Sequence, residues 1–189
     1  VFLKFPEIAA IKDELYDLKA KNELYIKYHD EEWGKPVYDD KILFEFLVLE
    51  SFQAGLSWIT ILKKREHFRK AFDNFNYKII ITYNDAKIEE LLQNEGIIRH
   101  RGKIEATINN AKVFQDIQKE FGSFSTYLWK YVNNTPIDHK LKSINDVVAK
   151  TELSDAIAKD LKKRGFKFMG STTVYAFMQA VGLVNDHIT

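Results

Sequence analysis

Two blocks of the sequence combine aromatic rings, carboxylates and glycine turns. The first block, residues 25–40, contains Tyr28 among several aromatic and acidic side chains, and the second block, residues 49–58, contains Glu50 and Trp58. Aromatic faces stack on planar rings, and an isolated carboxylate accepts hydrogen bonds from an amine. The two blocks together therefore predict a site that holds a flat heterocycle.

Glu50 lies near the C-terminal end of an apolar helical run, where a solvent-exposed face is least expected. Burial of an acidic side chain lowers the stability of the fold unless the acid is paired, and an unpaired buried acid often belongs to a functional site. In a structural role, Glu50 pairs with a nearby basic side chain or caps a neighbouring turn. In a functional role, it accepts hydrogen bonds from the exocyclic amine of a bound purine. If Glu50 binds a purine, Trp58 and Tyr28 could supply stacking and a phenolic hydrogen bond. Tryptophan and tyrosine are, however, most often residues of the hydrophobic core. Tyr25 and Trp33 have the character of core residues.

The turn between Glu50 and Trp58 has an apolar tip on a flexible backbone, formed by Gly55 and Leu56. Such tips act as wedges between stacked bases. A leucine packed into the core at a helix junction is an equally natural interpretation.

The segment 161–178 predicts two helices joined by a short, glycine-bounded turn. Residues 161–170 carry four basic side chains and no acid. Glycines let a ligand approach the backbone, and the N-terminus of the second helix favours phosphate. An ordinary helical corner with a solvated basic end is the alternative. The candidate phosphate-contacting residues are Lys163, Gly165, Lys167, Gly170 and Ser171.

Two further basic clusters occupy residues 63–70 and 99–103. A charge run is usually a solvated face, but the net charge of the chain is only +1. Three local basic clusters in such a chain favour a nucleic-acid partner that binds to one surface.

Helical periodicity runs through almost the whole chain and predicts an all-α protein. Residues 78–83 could form a strand, but no partner strand is evident. The predicted N-caps include Asp39 or Asp40, Ser57, Asn84, Ser125, Ser154, and Ser171 or Thr172. The predicted helices span residues 41–54, 58–72, 85–95, 103–121, 126–132, 155–164 and 173–181.

The composition predicts a soluble protein rather than a membrane or disulfide-rich protein. The chain has 189 residues and 46% hydrophobic content, enough to bury a sizeable core in one domain spanning 1–189. It has no cysteine, which excludes disulfides and thiolate zinc sites and fits a reducing compartment. No apolar stretch is long enough to cross a membrane, and we expect a cytoplasmic location.

Five blocks, in order, resemble the DNA-3-methyladenine glycosylase I family. The blocks are YIKYHDEEWG (25–34), LESFQAGLSWITILKKRE (49–66), GIIRHRGKI (96–104), LWKYVN (128–133) and LKKRGFKFMGSTTVYAFMQAVGLVNDH (161–187). The resemblance implies a helix-hairpin-helix DNA glycosylase fold, with a helical body and a hairpin lobe. It implies an enzyme that extrudes 3-methyladenine from alkylated double-stranded DNA and excises it by hydrolysis, without lyase activity.

The resemblance also assigns roles to individual residues. Glu50, Tyr28 and Trp58 match the positions that contact the methylated base, with Glu50 as a catalytic contributor. Gly55 and Leu56 match the loop that enters the DNA stack, and 165–171 matches the DNA-binding hairpin. Asp30, Glu32 and Asp186 are further acids that the sequence does not rank as activators of the catalytic water.

One departure from the family concerns its zinc site, in which two cysteines and two histidines tie the termini together. His29 and His187 match the two histidines, but the chain has no cysteine and ends at Thr189, before the distal cysteine of the family. Two histidines are too few for a closed tetrahedral site, so we expect no zinc and no other cofactor. The segment 1–22 diverges from the family, and an aromatic contact that this region often supplies is in doubt.

Two other functions compete with an active glycosylase that works as a monomer. A non-catalytic DNA-binding or damage-binding homologue would keep the hairpin but would tolerate loss of Glu50, Tyr28 and Trp58. An unrelated helical interaction module would not depend on the basic residues of the hairpin.

Overall fold

A computed structural model describes residues 23–188, and these residues are predominantly helical, which confirms the all-α prediction. Within this range no helix has both the length and the apolar character needed to cross a bilayer. The α-helices are α1 Glu23–Glu31, α2 Asp40–Gln53, α3 Trp58–Ala71, α4 Tyr77–Ile80, α5 Asp85–Gln93, α6 Arg101–Phe121, α7 Phe124–Trp129, α8 Glu152–Arg164 and α9 Ser171–Ala180. Short 3₁₀ turns occupy Asp73–Phe75, Lys130–Val132 and Ile144–Asp146.

Helix α2 lies at the centre of the core. Asp39 caps it by accepting hydrogen bonds from the amides of Lys41 and Ile42, at 2.9 and 3.0 Å. Every residue from 43 to 52 is buried, including two glutamates. A helix that is apolar all round must be enclosed by others, and α3, α6, α7 and α9 surround α2.

Aromatic rings fill the space between α2 and the long helix α6. Phe114 stacks on Phe124 with ring centroids 4.3 Å apart, and it meets Phe44 edge to face at 5.1 Å. Such arrangements stabilise a core beyond simple area burial. They fix α6 against the helix that contains Glu50.

The possible strand at residues 78–83 is not formed. Tyr77–Ile80 is helical and residues 81–83 form a turn, because Asn76 caps the segment by accepting from the Lys78 amide at 3.1 Å. The strands of the described region are β1 Ile137–Asp138 and β2 Val184–Asn185, which pair in parallel. A β-branched run without a neighbouring strand has no edge on which to pair, so local capping decides its conformation.

Three predicted N-caps are wrong by one to three residues. Gly170, not Ser171 or Thr172, precedes α9, and Ser171 is the first residue of that helix. Helix α7 begins after Ser123, whose hydroxyl accepts from the Thr126 amide, rather than at Ser125. Helix α8 begins after Thr151, and Ser154 completes a reciprocal capping box instead of being the cap. Several hydroxyl residues compete at each start, and the sequence does not show which one bonds to the backbone.

The hairpin between α8 and α9 forms as predicted. Gly165 ends α8 in the left-handed region with φ 104°, and Gly170 is the extended residue that precedes α9. Between them, Phe166 and Met169 are buried while Lys167 and Phe168 are exposed. The turn is therefore anchored at two points and displays the residues between them.

Gly182 should be intolerant of any side chain. Its φ is +69°, and an added Cβ would lie 2.4 Å from the carbonyl carbon of Lys35 and 2.5 Å from the nitrogen of Pro36. Gly182→Ala is expected to lower the free energy of unfolding by about 3 kcal/mol or more, because backbone must move as well as adopt a strained conformation. Urea denaturation with linear extrapolation measures this change.

Gly122→Ala is the matched control. Gly122 has φ +86° but no atom lies within 4 Å of an added Cβ, so only the left-handed conformation is penalised, by about 1–2 kcal/mol. Equal losses for the two variants would show that the contact with Lys35 and Pro36 is unimportant.

Candidate functional site

Glu50 is buried in the core without a salt bridge. Its side chain is 1% exposed, and its Oε1 atom has no hydrogen-bond donor among the described residues. Burial raises the pKa of Glu50 to about 8, because removal from water penalises the charged form. A buried acid in this state is held ready for a ligand rather than used to stabilise the fold.

Aromatic residues of α1 and α3 surround this carboxyl group. The ring centroids of Tyr28 and Trp58 are 5.5 Å apart, and both side chains are almost fully buried. Burial raises the pKa values of the Tyr28 and Tyr25 hydroxyls, and the nearby Glu50 raises them further. The structure thus brings together Glu50, Tyr28 and Trp58, as the sequence predicted, and adds Tyr25.

A cationic planar ring matches the chemistry of this group. A positive charge beside Glu50 would favour the carboxylate over the neutral acid and lower the pKa from its value of about 8 in the free protein. Tryptophan and tyrosine faces attract cations as well as stack on rings. The cluster therefore favours a cationic heterocycle over its neutral counterpart.

An ion network behind this cluster holds α1 against α2 and α3. The guanidinium of Arg65 donates to Glu45 at 2.6 Å and to Glu32 at 2.7 Å, and Arg69 also donates to Glu45, at 2.8 Å. Although burial opposes the charge on Arg65, the two carboxylates raise its pKa. The basic cluster 63–70 was predicted to be a surface feature, and Arg65 corrects that prediction because it is buried and paired.

The three acids that the sequence left unranked are engaged away from Glu50. Glu32 is paired with Arg65, and Asp30 lies 3.0 Å from the Nδ1 atom of His29. Asp186 is buried and accepts from the Tyr175 hydroxyl and from the Gln179 amide, both at 2.6 Å. These contacts give all three acids structural partners.

The loop between α2 and α3 is a tight turn closed by its own side chains. Gly55 has φ +84° and is exposed, whereas Leu56 is partly buried against the core. Gln53 donates from its side chain to the carbonyl of Leu56 at 2.7 Å. The ammonium group of Lys103 in α6 stabilises the loop by donating to the carbonyls of Phe52 and Ala54, at 3.0 and 3.2 Å.

The hairpin presents part of the predicted basic patch. Lys163 and Lys167 are exposed, as is Gly170. Arg164 departs from the prediction, because it is partly buried and donates to Asp160 at 2.8 Å and to Glu120 at 2.7 Å. The Ser171 hydroxyl lies 2.8 Å from the Ser154 hydroxyl, so its side chain fastens the two hairpin helices together.

His29 and His187 are neighbours, as the family resemblance implies. Their ring centroids are 5.2 Å apart, and Trp33 packs on His187 at 4.7 Å. The Nδ1 atom of His187 lies 2.6 Å from the side-chain oxygen of Asn185. Among residues 23–188, no three histidine or carboxylate side chains are grouped to hold a metal ion, so the residues described do not fit a closed zinc site.

Comparison with known proteins identifies the family. A family model described as methyladenine glycosylase matches residues 18–189. The chain belongs to the methyladenine glycosylase family. A DNA-3-methyladenine glycosylase of Haemophilus influenzae is 50% identical over 169 residues, covering 89% of this chain and 91% of that protein. DNA-3-methyladenine glycosylase 1 of Escherichia coli is 47% identical, covering 89% of this chain and 90% of its own length.

Solved structures of the family have the same all-α glycosylase fold. A crystal structure of 3-methyladenine DNA glycosylase I superposes with a TM-score of 0.87 at 51% identity, covering 89% of this chain and 93% of that one. A tyrosine-to-phenylalanine variant of such an enzyme, crystallised in complex with 3-methyladenine, gives a TM-score of 0.88 at 40% identity. It covers 91% of this chain and 92% of its own.

Sequence reasoning missed the contributions of Tyr25, Arg65 and Lys103. Tyr25 precedes Tyr28 by one helical turn, and this spacing could have placed both on one face. Arg65 follows Ile61 by four residues, so periodicity could have placed it on the buried face of α3. No sequence pattern indicates the burial of Lys103, because its hydrogen-bond partners are carbonyl groups distant in sequence.

The raised pKa of Glu50 predicts a pH-dependent stability difference from the Glu50→Gln variant. In the unfolded chain the acid ionises near 4.5, but in the folded protein only near 8. Between these values the unfolded state binds fewer protons, so wild type loses stability as pH rises. Relative to Glu50→Gln, wild type is expected to lose about 3 kcal/mol between pH 5 and 7.5.

Urea denaturation at intervals between pH 4.5 and 9 measures this difference. Glu31→Gln is the control, because Glu31 is 63% exposed on α1, and its curve should run parallel to that of wild type. A constant difference between wild type and Glu50→Gln across this range would contradict the raised pKa.

Proposed function

We propose that this protein is a DNA-3-methyladenine glycosylase that extrudes the damaged nucleotide from alkylated double-stranded DNA and hydrolyses its glycosidic bond. The observation that supports this most directly is the buried Glu50 carboxyl group beside Tyr28 and Trp58, one oxygen of which has no donor within residues 23–188. Family membership and relatives named as DNA-3-methyladenine glycosylases agree with it.

The methylated base has the chemistry that this site favours. Methylation at N3 makes adenine cationic in DNA and weakens its bond to the sugar. The ionised form of Glu50 would bind that cation and its exocyclic amine, which stabilises the extruded state and offsets unstacking of a few kcal/mol. Neutral adenine would gain no such charge pairing. The site therefore selects the damaged base.

The reaction needs little more from the protein than binding and charge stabilisation. The bond between C1′ and the base breaks, and the base leaves with the electron pair. Water then adds to C1′ and releases a proton. We assign Glu50 an electrostatic and hydrogen-bonding role in this step, and we assign Tyr28 and Trp58 to binding of the base.

A non-catalytic DNA-binding protein is a weaker explanation. Keeping an unpaired carboxyl group in the core costs stability at neutral pH. A protein that only binds DNA through its hairpin gains nothing from that cost. No described feature favours the helical interaction module.

We propose that no metal or other cofactor takes part. The chain has no cysteine, and His29 and His187 interact with Asp30 and Asn185 through their Nδ1 atoms. Trp33 stacks on His29 and meets His187 edge to face, and these contacts hold the end of α1 against the C-terminal segment. The aromatic contact that the family often supplies from the region of residues 1–22 lies outside the described residues.

We propose that two elements hold the DNA. Leu56 at the Gly55 turn enters the base stack, and the hairpin binds the phosphate backbone through Lys163, Lys167 and the backbone of Gly165, Gly170 and Ser171. Helix N-termini and exposed lysines both favour phosphate. We also propose that the protein acts as a monomer in the cytoplasm, which agrees with the absence of cysteine.

Release of free base from methylated duplex DNA in EDTA tests the proposed activity. Wild type is expected to release 3-methyladenine at the same rate in EDTA as with added zinc. Glu50→Gln is expected to release it about a hundredfold more slowly, because it cannot provide a negative charge. Chromatography of the released bases measures both rates under single-turnover conditions.

The Glu31→Gln variant should retain the wild-type rate. Absence of release by wild type, with DNA binding intact, would reduce the protein to a damage-binding homologue. A rate that requires zinc would contradict the proposal that no metal takes part.

The double variant Lys163→Glu/Lys167→Glu tests the hairpin. We expect its Kd for duplex DNA to rise at least about tenfold near 0.1 M salt. The negative slope of the logarithm of the association constant against the logarithm of the salt concentration should become smaller in magnitude by about two. Fluorescence anisotropy with labelled duplex measures both quantities.

Lys27→Glu/Lys78→Glu carries the same change in net charge at two positions outside the hairpin. Lys27 is exposed on α1, where it lies 3.9 Å from Glu31, and Lys78 is exposed on α4. If this control weakened DNA binding as much as the hairpin variant, binding would depend on overall charge and not on the hairpin.

A further inference from the structure

Phe168 has an unusual conformation for its residue type. Its φ is +57°, in the left-handed region, and its side chain is 45% exposed. Bulky residues adopt this region at a cost in free energy, and they keep it only where something compensates. The hairpin could have used glycine or asparagine at this position without that cost.

The other positive-φ residues have evident local compensation. Lys140 is exposed with φ +48°, but its amide donates to the side chain of Asp138 at 3.0 Å in a local turn. Asn133 and Asn134 belong to a residue type that tolerates this region. Phe75 also has a positive φ, 55°, but it is fully buried, so core packing compensates for its backbone. Burial does not explain Phe168.

Helix α6 holds the backbone that precedes Phe168, so contacts outside the turn fix the position of this residue. Asn110 is buried and pairs with both backbone groups of Lys167, at 2.8 and 2.9 Å. Asn109 donates to the carbonyl of Gly165 at 2.7 Å. On the other side Met169 is buried. These contacts direct the ring of Phe168 outward from the hairpin.

The ring extends from the hairpin to the N-terminus of α6, the helix that also contacts the loop of Gly55 and Leu56. It meets the exposed ring of His100 edge to face, with centroids 6.0 Å apart, and it lies close to Gly102. The next residue, Lys103, bonds to the Ala54 carbonyl in the loop of Gly55 and Leu56. Phe168 thus lies where the hairpin and that loop approach the N-terminus of α6.

We propose that Phe168 is a DNA-contacting residue, whose ring packs on the sugars and base edges of the duplex next to the extruded nucleotide. This proposal rests on the proposed function. Lys167 precedes Phe168 and is exposed. The exposed Arg99 and Arg101 flank the His100 that the ring contacts, although Glu95 and Glu89 each pair with one of these arginines. This basic character favours a nucleic acid over an apolar protein partner. The ring adds apolar contact where the lysines supply only charge, and this gain compensates for the strained backbone.

The Phe168→Gly variant separates this role from a structural one. Glycine relieves the left-handed backbone, so the melting temperature should stay the same or rise. The Kd for a duplex that contains an abasic-site analogue should rise about fivefold to tenfold. The salt slope of log K should stay the same, because no phosphate contact is lost. Calorimetric binding of free 3-methyladenine should also be unchanged, since the base site is intact.

Two matched variants accompany it. Phe168→Tyr keeps the ring and should retain the wild-type Kd. Asn133→Gly relieves a positive φ at a position outside the hairpin and should leave DNA binding unaltered. Wild type must also release 3-methyladenine in the same preparation. Failure of that release would overturn the proposed function, whichever way the Phe168 variants behave.

Three outcomes would overturn the proposal for Phe168 while wild type remains active. A wild-type Kd in Phe168→Gly would show that the ring does not contact DNA. A reduced salt slope would show that the ring only shapes the phosphate-binding turn. A lower melting temperature, with a Kd restored on cooling, would make Phe168 a structural residue.

Discussion

Burial of one carboxyl group is the constraint on which the rest of this structure depends. Glu50 lies in a helix whose residues 43–52 are all buried, and burial raises its pKa to about 8. Such a site persists only if the surrounding helices exclude water and cannot collapse onto the acid. The ion network of Arg65 meets this demand, because it holds α1 to α2 and α3 with groups that are already paired. Tyr25 and Tyr28 are thereby kept beside Glu50.

Helix α6 gives the two elements proposed to hold DNA a common frame. Lys103 bonds to the loop of Leu56, and about two turns further along the same helix Asn110 bonds to the hairpin backbone. The rise of an α-helix is about 1.5 Å per residue, so these two attachment points have a fixed separation of about 10 Å. A rigid helix therefore sets the distance between the loop and the hairpin, and this distance does not depend on direct contact between the two segments.

The sequence allowed much of this arrangement to be predicted, for physical reasons that differ between residues. Helical periodicity located the main helices, and glycine at 165 located the hairpin. The proximity of Glu50, Tyr28 and Trp58 was predicted from an acid in an apolar run and from the family motifs, and their roles in base binding stay proposals. Arg65 and Lys103 were not predicted, since a charged side chain is assumed to be solvated until its partners are known. The conformation of Phe168 was also hidden, because contacts from Asn110, distant in sequence, impose it.

The attachment of α1 has a consequence for how the protein is made. The turn after α1 is fixed by residues from the far end of the described chain: the amide of Gly34 donates to Gln179, that of Val37 donates to Val181, and Trp33 packs on His187. A nascent chain on the ribosome lacks these partners until residues 179–187 have been synthesised and have left the exit tunnel. Tyr28 is therefore fixed beside Glu50 only after residues 179–187 have emerged, and earlier translation intermediates lack the complete cluster of Glu50, Tyr28 and Trp58.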